Sequence, residues 1–193
     1  MILTRDFYLR PALDVAHDLL GKKLIRMVGM QRVGGIIVET EAYDGENDLA
    51  CHAHVGKTDR NKVMYGQGGL AYVYFTYGMH WMLNCVTGLS DYPAAVLIRA
   101  IIPTDGLDFI KSNRPNVMEK QWCNGPAKLT RALSITGEFN GCDLCDPNGR
   151  LYIENGEEIL EKSISTTPRI GIQSTPEPWL SKTWRFVVIS QRK

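Results

Sequence analysis

The stretch IIVETEAY, residues 36–43, decides which fold we expect. Its β-branched residues favour a strand, and the preceding pair Gly34–Gly35 is typical of a turn. Side-chain alternation along a strand places Glu39, Glu41 and Tyr43 on one face. Carboxylates in an apolar strand are costly unless they are paired or functional. Two interpretations are therefore open: a functional pair of acids, or a purely structural arrangement, either a wet edge strand or a glutamate paired to an arginine.

The other predicted strands are grouped rather than alternating strictly with helices. Strands are predicted at 23–27, 71–77, 82–86, 94–102 (ending at Pro103), 151–153 and 186–189, and helices at 13–20, 106–112 and 126–134. Residues 44–69 are predicted to form a long glycine-rich loop, and a loop of that length is usually functional or disordered. The grouping predicts an α+β fold: one domain, residues 1–193, with a curved, largely antiparallel β-sheet and flanking helices.

The composition of the 193 residues excludes several classes of protein. Hydrophobic residues make up 44% and charged residues 22%, as in globular domains, and there is no apolar run long enough for a membrane-spanning helix. The net charge of +1 gives no global attraction to polyanions. The first twenty residues show no signal-peptide pattern, so we expect a cytoplasmic protein whose five cysteines are reduced thiols.

Two short groups of potential metal ligands are present. They are Cys142-x-x-Cys145 and Cys51-His52-x-His54. A structural zinc site usually has two ligand pairs at regular spacing, and no second pair follows either group. Walker A and GxGxxG motifs are also missing from the sequence. We expect no metal site, and a small metalloprotein using Cys142 and Cys145 is kept as an alternative.

Aromatic residues are concentrated in one part of the chain. Seven of the seventeen fall within residues 65–92. Tyr72 and Tyr74 share one face of a predicted strand, and Tyr77 lies at the following turn beside Gly78. A buried tyrosine needs a partner for its hydroxyl, so the concentration favours a cleft whose rings stack on a flat ligand such as a nucleobase. An aromatic core cluster is the alternative.

Several motifs, in order, resemble those of the alkyladenine (3-methyladenine) DNA glycosylase family. They are VETEAY (38–43), ACH (50–52), RN (60–61) with Met64, YVYFTYGM (72–79), Asn84, VLIRA (96–100) and CNGPAKL (123–129). The resemblance runs from about residue 7 to residue 186. The chain looks like a compact bacterial-type member of that family.

The resemblance implies a DNA-repair enzyme that flips a damaged purine out of duplex DNA and hydrolyses its N-glycosidic bond. It also implies a role for each matching residue. These are Glu41, which activates water, and Arg99 (catalytic), Tyr43, His52, Tyr74 and Asn84 (base pocket), and Tyr77 (DNA intercalation). The implied substrates are alkylated or deaminated purines such as 3-methyladenine, 7-methylguanine and hypoxanthine.

The resemblance also implies what accompanies the reaction. No cofactor and no metal are expected, and no lysine matches a Schiff-base nucleophile, so we expect hydrolysis without strand cleavage. The expected partner is double-stranded DNA containing a damaged purine, with no membrane, and the protein is expected to be a monomer. A damaged-base or nucleic-acid binding module that has lost catalysis is the alternative, although binding alone has no need for Glu41. The acidic stretch DGEND (44–48) beside these residues has no explanation from the sequence.

Overall fold

The computed structural model describes residues 1–189, which form an eight-stranded antiparallel sheet and four α-helices. The elements are α1 (Arg5–Tyr8), α2 (Ala12–Asp18), β1 (Lys23–Val28), β2 (Gln31–Asp44), β3 (Ala71–Thr76), β4 (His80–Thr87), β5 (Ala94–Asp105), α3 (Leu107–Asn113), α4 (Pro126–Ala132), β6 (Leu151–Glu154), β7 (Ile164–Thr167) and β8 (Arg185–Val188). Short 3₁₀ helices lie at His52–Val55, Lys62–Tyr65, Glu119–Gln121, Gly137–Phe139 and Glu161–Ser163. The α+β class and the antiparallel sheet are confirmed.

Strand β2 lies at the centre of the sheet. The strand order is β3-β4-β5-β2-β1-β6, and β8 pairs with both β2 and β7. One edge of β2 pairs with β5, and the other pairs first with β1 and then with β8. The register against β5 shifts on both sides of Glu39, an irregularity of the kind that redirects side chains beside functional sites. Because β2 is paired on both edges, the wet-edge interpretation of Glu39 and Glu41 is wrong.

Strand β5 continues beyond the end that the sequence predicts. The strand was expected to stop at Pro103, but it runs to Asp105. Proline lacks an N–H group, so it fits a strand only where that donor is not needed, such as an edge or a bulge. Pro103 lies opposite Gly35, at a register shift, and beyond residues 94–97, where β5 also pairs with β4. The turn expected at Gly34–Gly35 is wrong, because both residues lie within β2. Glycine is required at Gly35 because a Cβ atom would overlap a backbone carbonyl of β5.

The two faces of β2 have different surroundings. On one face, the Thr40 hydroxyl donates to the Ala16 carbonyl of α2 at 2.7 Å, inside the main hydrophobic core. The opposite face carries Glu41 and Tyr43, and Tyr43 packs against a second, smaller core cluster. The members of that cluster are Cys51, Ala53, Met64, Tyr65, Tyr72, Val86 and Ala95. The long loop therefore folds over the sheet face that bears the predicted site.

None of the helices formed by residues 1–189 is long and apolar enough to cross a membrane.

Candidate active site

Glu41 is fully buried on β2, and each of its carboxylate oxygens has partners. The Ile170 backbone N–H donates to Oε1 at 2.7 Å, and the Tyr43 hydroxyl donates to Oε2 at 2.9 Å. Nη1 of Arg99 lies 3.2 Å from Oε2. Burial raises the pKa of Glu41, and the Arg99 charge together with these two hydrogen bonds limits the rise. Burial also raises the pKa of Tyr43 well above its usual value, so its hydroxyl keeps the proton that it donates.

Arg99, on the neighbouring strand β5, lies between the two glutamates. Its Nε donates to Oε1 of Glu39 at 2.6 Å, while Nη1 contacts Glu41. Arg185 on β8 donates to the same Glu39 oxygen at 2.7 Å. The pairing interpretation of the two glutamates is thus confirmed. It does not compete with a functional one, because Arg99, which contacts both glutamates, also lines a cavity.

A cavity of about 310 Å³ opens beside these groups. Six of the seven predicted site residues line it: Tyr43, His52, Tyr74, Tyr77, Asn84 and Arg99. The seventh, Glu41, lies behind the wall, but all three groups that contact its carboxylate belong to residues of the lining. Residues far apart in the sequence therefore meet at one place, with the carboxylate one contact away from the open space.

Both the backbone and the ring of His52 have hydrogen-bond partners at the start of its 3₁₀ helix. The buried side chain of Asn61 donates to the His52 carbonyl at 2.9 Å, which explains why an asparagine occurs in the loop motif. The His52 ring lies edge-on to Tyr74, with centroids 4.5 Å apart, and its Nδ1 is 2.9 Å from the Tyr72 hydroxyl. Burial, with the nearby Arg60 charge, lowers the pKa of His52 to about 4. The imidazole is therefore neutral near pH 7.

Asn84 and Tyr77 occupy opposite ends of the β3–β4 hairpin. Asn84 is buried, and its side-chain amide donates to the Tyr72 carbonyl across the strand pair at 3.1 Å. Tyr77 is 79% exposed at the tip, where it has φ 52° and Gly78 has φ 65°. Glycine tolerates such a turn without strain, and Tyr77 is held there with its ring directed into solvent. The hairpin thus contributes one buried and one exposed side chain to the cavity lining.

Sequence reasoning missed one wall of the cavity, formed by Ile170, Gly171 and Ile172. Arg169, just before it, is buried and pairs with Asp48 of the acidic loop. The other acids of that loop are also bonded: Asp44 accepts from the Tyr92 hydroxyl at 3.1 Å, and Glu46 accepts from the Tyr65 hydroxyl at 2.6 Å. The acidity of DGEND therefore has a structural explanation. The sequence alone carries no signal for this pairing.

The cysteines lie apart from this cavity, except for Cys51 in its wall. All five are free thiols, and Cys142 and Cys145 are partly buried near Glu138 and Asp143. Between residues 1 and 189 no group of three or more His, Cys, Asp or Glu side chains is arranged to hold a metal ion.

Comparison with known proteins gives a consistent answer. The family model described as "Methylpurine-DNA glycosylase (MPG)" matches residues 6–192. A protein of Methanocella arvoryzae is 52% identical over 96% of this chain and 91% of its own length, and one of Carboxydothermus hydrogenoformans is 51% identical over 90% of each. A third, from Chlorobium phaeobacteroides, is 44% identical over 98% of this chain and 94% of its own. All three bear the name "Putative 3-methyladenine DNA glycosylase". The resemblance predicted from the sequence motifs is confirmed, and the chain belongs to the methylpurine-DNA glycosylase family.

Proposed function

We propose that this protein removes damaged purines from duplex DNA by hydrolysing the N-glycosidic bond and leaving an abasic site. The proposed substrates are alkylated or deaminated purines such as 3-methyladenine, 7-methylguanine and hypoxanthine. The family and the names of the relatives support the class of reaction. The observation that carries the proposal is the cavity whose wall contains Tyr43 and Arg99, both of which contact the Glu41 carboxylate.

The chemistry of the cavity suits a flipped, alkylated base. A base within the duplex cannot reach the cavity, so the nucleotide must leave the stack. A purine such as 7-methylguanine is cationic, and a cation over an aromatic ring gains about 0.5 to 2 kcal/mol. Tyr43, His52 and Tyr74 supply such rings, and His52, being neutral near pH 7, adds no opposing charge. Tyr77, exposed at the hairpin tip, is proposed to fill the gap that the base leaves.

Glu41 is proposed to take a proton from the attacking water. Burial makes this carboxylate a stronger base than an ordinary glutamate, and Arg99, Tyr43 and the Ile170 N–H favour its ionised form. The negative charge also stabilises the oxocarbenium-like sugar in the transition state. No lysine is among the cavity-lining residues in the described part of the chain, which supports hydrolysis without a Schiff base.

The test uses purified protein in EDTA with duplex oligonucleotides that carry one hypoxanthine or one 7-methylguanine. Alkali converts an abasic site into a strand break, so breaks are scored with and without alkali. Glu41→Gln removes the carboxylate proposed to deprotonate water, with little change in side-chain shape. Glu119→Gln is the matched control, because Glu119 is exposed in a short 3₁₀ helix outside the cavity lining.

The expected result is strand breaks that need alkali, persist in Glu119→Gln and vanish in Glu41→Gln while duplex binding survives. Breaks that form without alkali would show a lyase step and contradict simple hydrolysis. Tight binding to the damaged duplex without breaks on either substrate would favour the binding module that has lost catalysis. Full activity in Glu41→Gln would remove Glu41 from its proposed role.

A further inference from the structure

Asp48 and Arg169 form an ion pair in which both side chains are fully buried. Arg169 Nη1 lies 2.5 Å from Asp48 Oδ2, and Nη2 lies 2.9 Å from Oδ1, so the contact is bidentate. A buried pair of this kind is weak evidence for stability, because removing two charges from water costs about as much as their attraction returns. Its position relative to Glu41 suggests another role.

The pair joins three segments that surround the cavity. The Asp48 carboxylate also accepts from the backbone N–H groups of Asp44 and Ala50, which fixes the loop that leads to His52. Arg169 Nη1 donates to the Ala42 carbonyl on β2 at 3.0 Å, and its guanidinium lies 4.8 Å from the centre of the Tyr43 ring. A single guanidinium thus holds β2, the loop and its own segment in register.

Ile170, the residue after Arg169, directly contacts Glu41, the proposed general base. The Ile170 N–H donates to Glu41 Oε1 at 2.7 Å, although the Ile170 side chain is 47% exposed at the cavity wall. An exposed side chain with little packing cannot by itself fix the direction of its amide. The fixed neighbour on its N-terminal side can, because planar peptide geometry leaves few freedoms between them.

We infer that Asp48 and Arg169 are positioning residues for Glu41: the pair holds residues 169–172 so that the Ile170 N–H remains on Oε1 and keeps the carboxylate ionised. This inference rests on the proposed function, since the role of Glu41 as the base comes from there. Neither Asp48 nor Arg169 is among the residues that line the cavity.

The test uses changes that leave the net charge of the pair at zero, because an unmasked charge would itself shift the titration of Glu41. Arg169→Lys keeps the charge but loses the planar fork. The double variant Asp48→Asn/Arg169→Gln removes both charges. Glu154→Gln is the control, because Glu154 on β6 forms a partly exposed pair with Arg32 and neither residue lines the cavity.

Two measurements are made on each protein. The first is the pKa of Glu41, read from the side-chain carboxyl ¹³C shift and assigned with Glu41→Gln. The second is the single-turnover rate of 7-methylguanine excision as a function of pH. The charged and titratable groups facing Glu41 are unchanged in every variant. They are Tyr43 and Glu39 on β2, Tyr74 on β3, Arg99 on β5 and, through Glu39, Arg185 on β8.

Losing a hydrogen bond to a charged group predicts a rise of about one to two units in the pKa of Glu41 in both variants. The acidic limb of the rate profile is expected to move by the same amount, with about a tenfold or greater loss below it and less than threefold on the plateau. If one variant does not fold, the other decides. The control Glu154→Gln is expected to change neither the pKa of Glu41 nor the acidic limb of the rate profile. If the Asp48 and Arg169 variants also leave both unchanged and only lower the melting temperature, the pair is merely structural and the inference is overturned. A wild type without excision refutes the proposed function, and the carboxyl titration still decides the role of the pair.

Discussion

Replacing Tyr43 with phenylalanine should move the pH dependence of base excision in a predictable direction. The change removes the hydroxyl that donates to Glu41 Oε2 at 2.9 Å and keeps the ring that lines the cavity. Arg99 and the Ile170 N–H remain in contact with the carboxylate. The perturbation is therefore confined to one hydrogen bond to a charged acceptor.

The magnitude follows from the kind of bond that is lost. A hydrogen bond to a charged group contributes about 1.5 to 3 kcal/mol, and one pKa unit corresponds to about 1.4 kcal/mol. The hydroxyl favours the ionised form of Glu41, so its loss raises the pKa of Glu41, by about one to two units. The Glu41 carboxylate must be ionised to accept a proton from water, so the acidic limb of the excision rate should move to higher pH by the same amount.

The assay is single-turnover excision of 7-methylguanine across the acidic and neutral range. This substrate carries a fixed positive charge, so protonation of the leaving base does not enter the profile. Tyr65→Phe is the matched control, because the Tyr65 hydroxyl donates to Glu46 at 2.6 Å, a similar bond that does not involve Glu41. An acidic limb in Tyr43→Phe that coincides with the wild-type limb would refute the assignment of Glu41 as the base.

Three further changes test other parts of the site and the fold. Tyr77→Ala should lower single-turnover excision roughly 5- to 150-fold, from the loss of about 1 to 3 kcal/mol of stacking. Met30→Ala, a change at another exposed side chain, should not alter the rate. The pKa of His52 is lowered from 6.5 to about 4, so below pH 6.5 the unfolded chain binds a proton that the folded protein excludes, and stability falls as the pH drops. Urea titrations at several pH values should show that His52→Asn lacks this part of the loss, which is up to about 3 kcal/mol between pH 6.5 and about pH 4. Stability that falls equally steeply with pH in both proteins would contradict the neutral imidazole. Gly35→Ala should destabilise the protein by about 1 to 3 kcal/mol or more in the same titrations, because its methyl group meets backbone, and Gly125→Ala, which meets only a flexible lysine side chain at 3.7 Å, should be nearly neutral.

The sequence predicted most of the sheet because its strands carry strong local signals. The β-branched run of β2 and the alternating aromatic run of β3 are examples, and both form strands. Helix α1 and strand β7, four residues each, were not predicted, because so short a segment shows no periodicity. The extension of β5 through Pro103 depends on where its neighbours end, which is a property of the sheet and not of the local sequence.

Six of the seven predicted site residues line the cavity. They could be predicted from the sequence because the family motifs that carry them are local and specific. The Ile170 amide and the Asp48–Arg169 pair could not be predicted in this way. A backbone N–H leaves no signature in the sequence, since every residue except proline has one. The ion pair joins residues 121 positions apart, and without a second sequence there is no signal that links them.

The charges around Glu41 explain how a carboxylate can be buried at this site. Glu39, Glu41 and Asp48 contribute three carboxylates, and Arg99, Arg169 and Arg185 contribute three guanidinium groups. The network is therefore neutral as a whole, so it raises no large field against incoming DNA phosphate. Apolar side chains packed in the same place could make the protein at least as stable, because the attraction within a buried ion pair seldom exceeds the cost of removing its charges from water. What apolar side chains cannot provide is an opposite charge beside the buried carboxylate, which favours its ionised form. Under the proposed mechanism, the network serves the basicity of Glu41, because its arginines favour a charge that burial alone would disfavour.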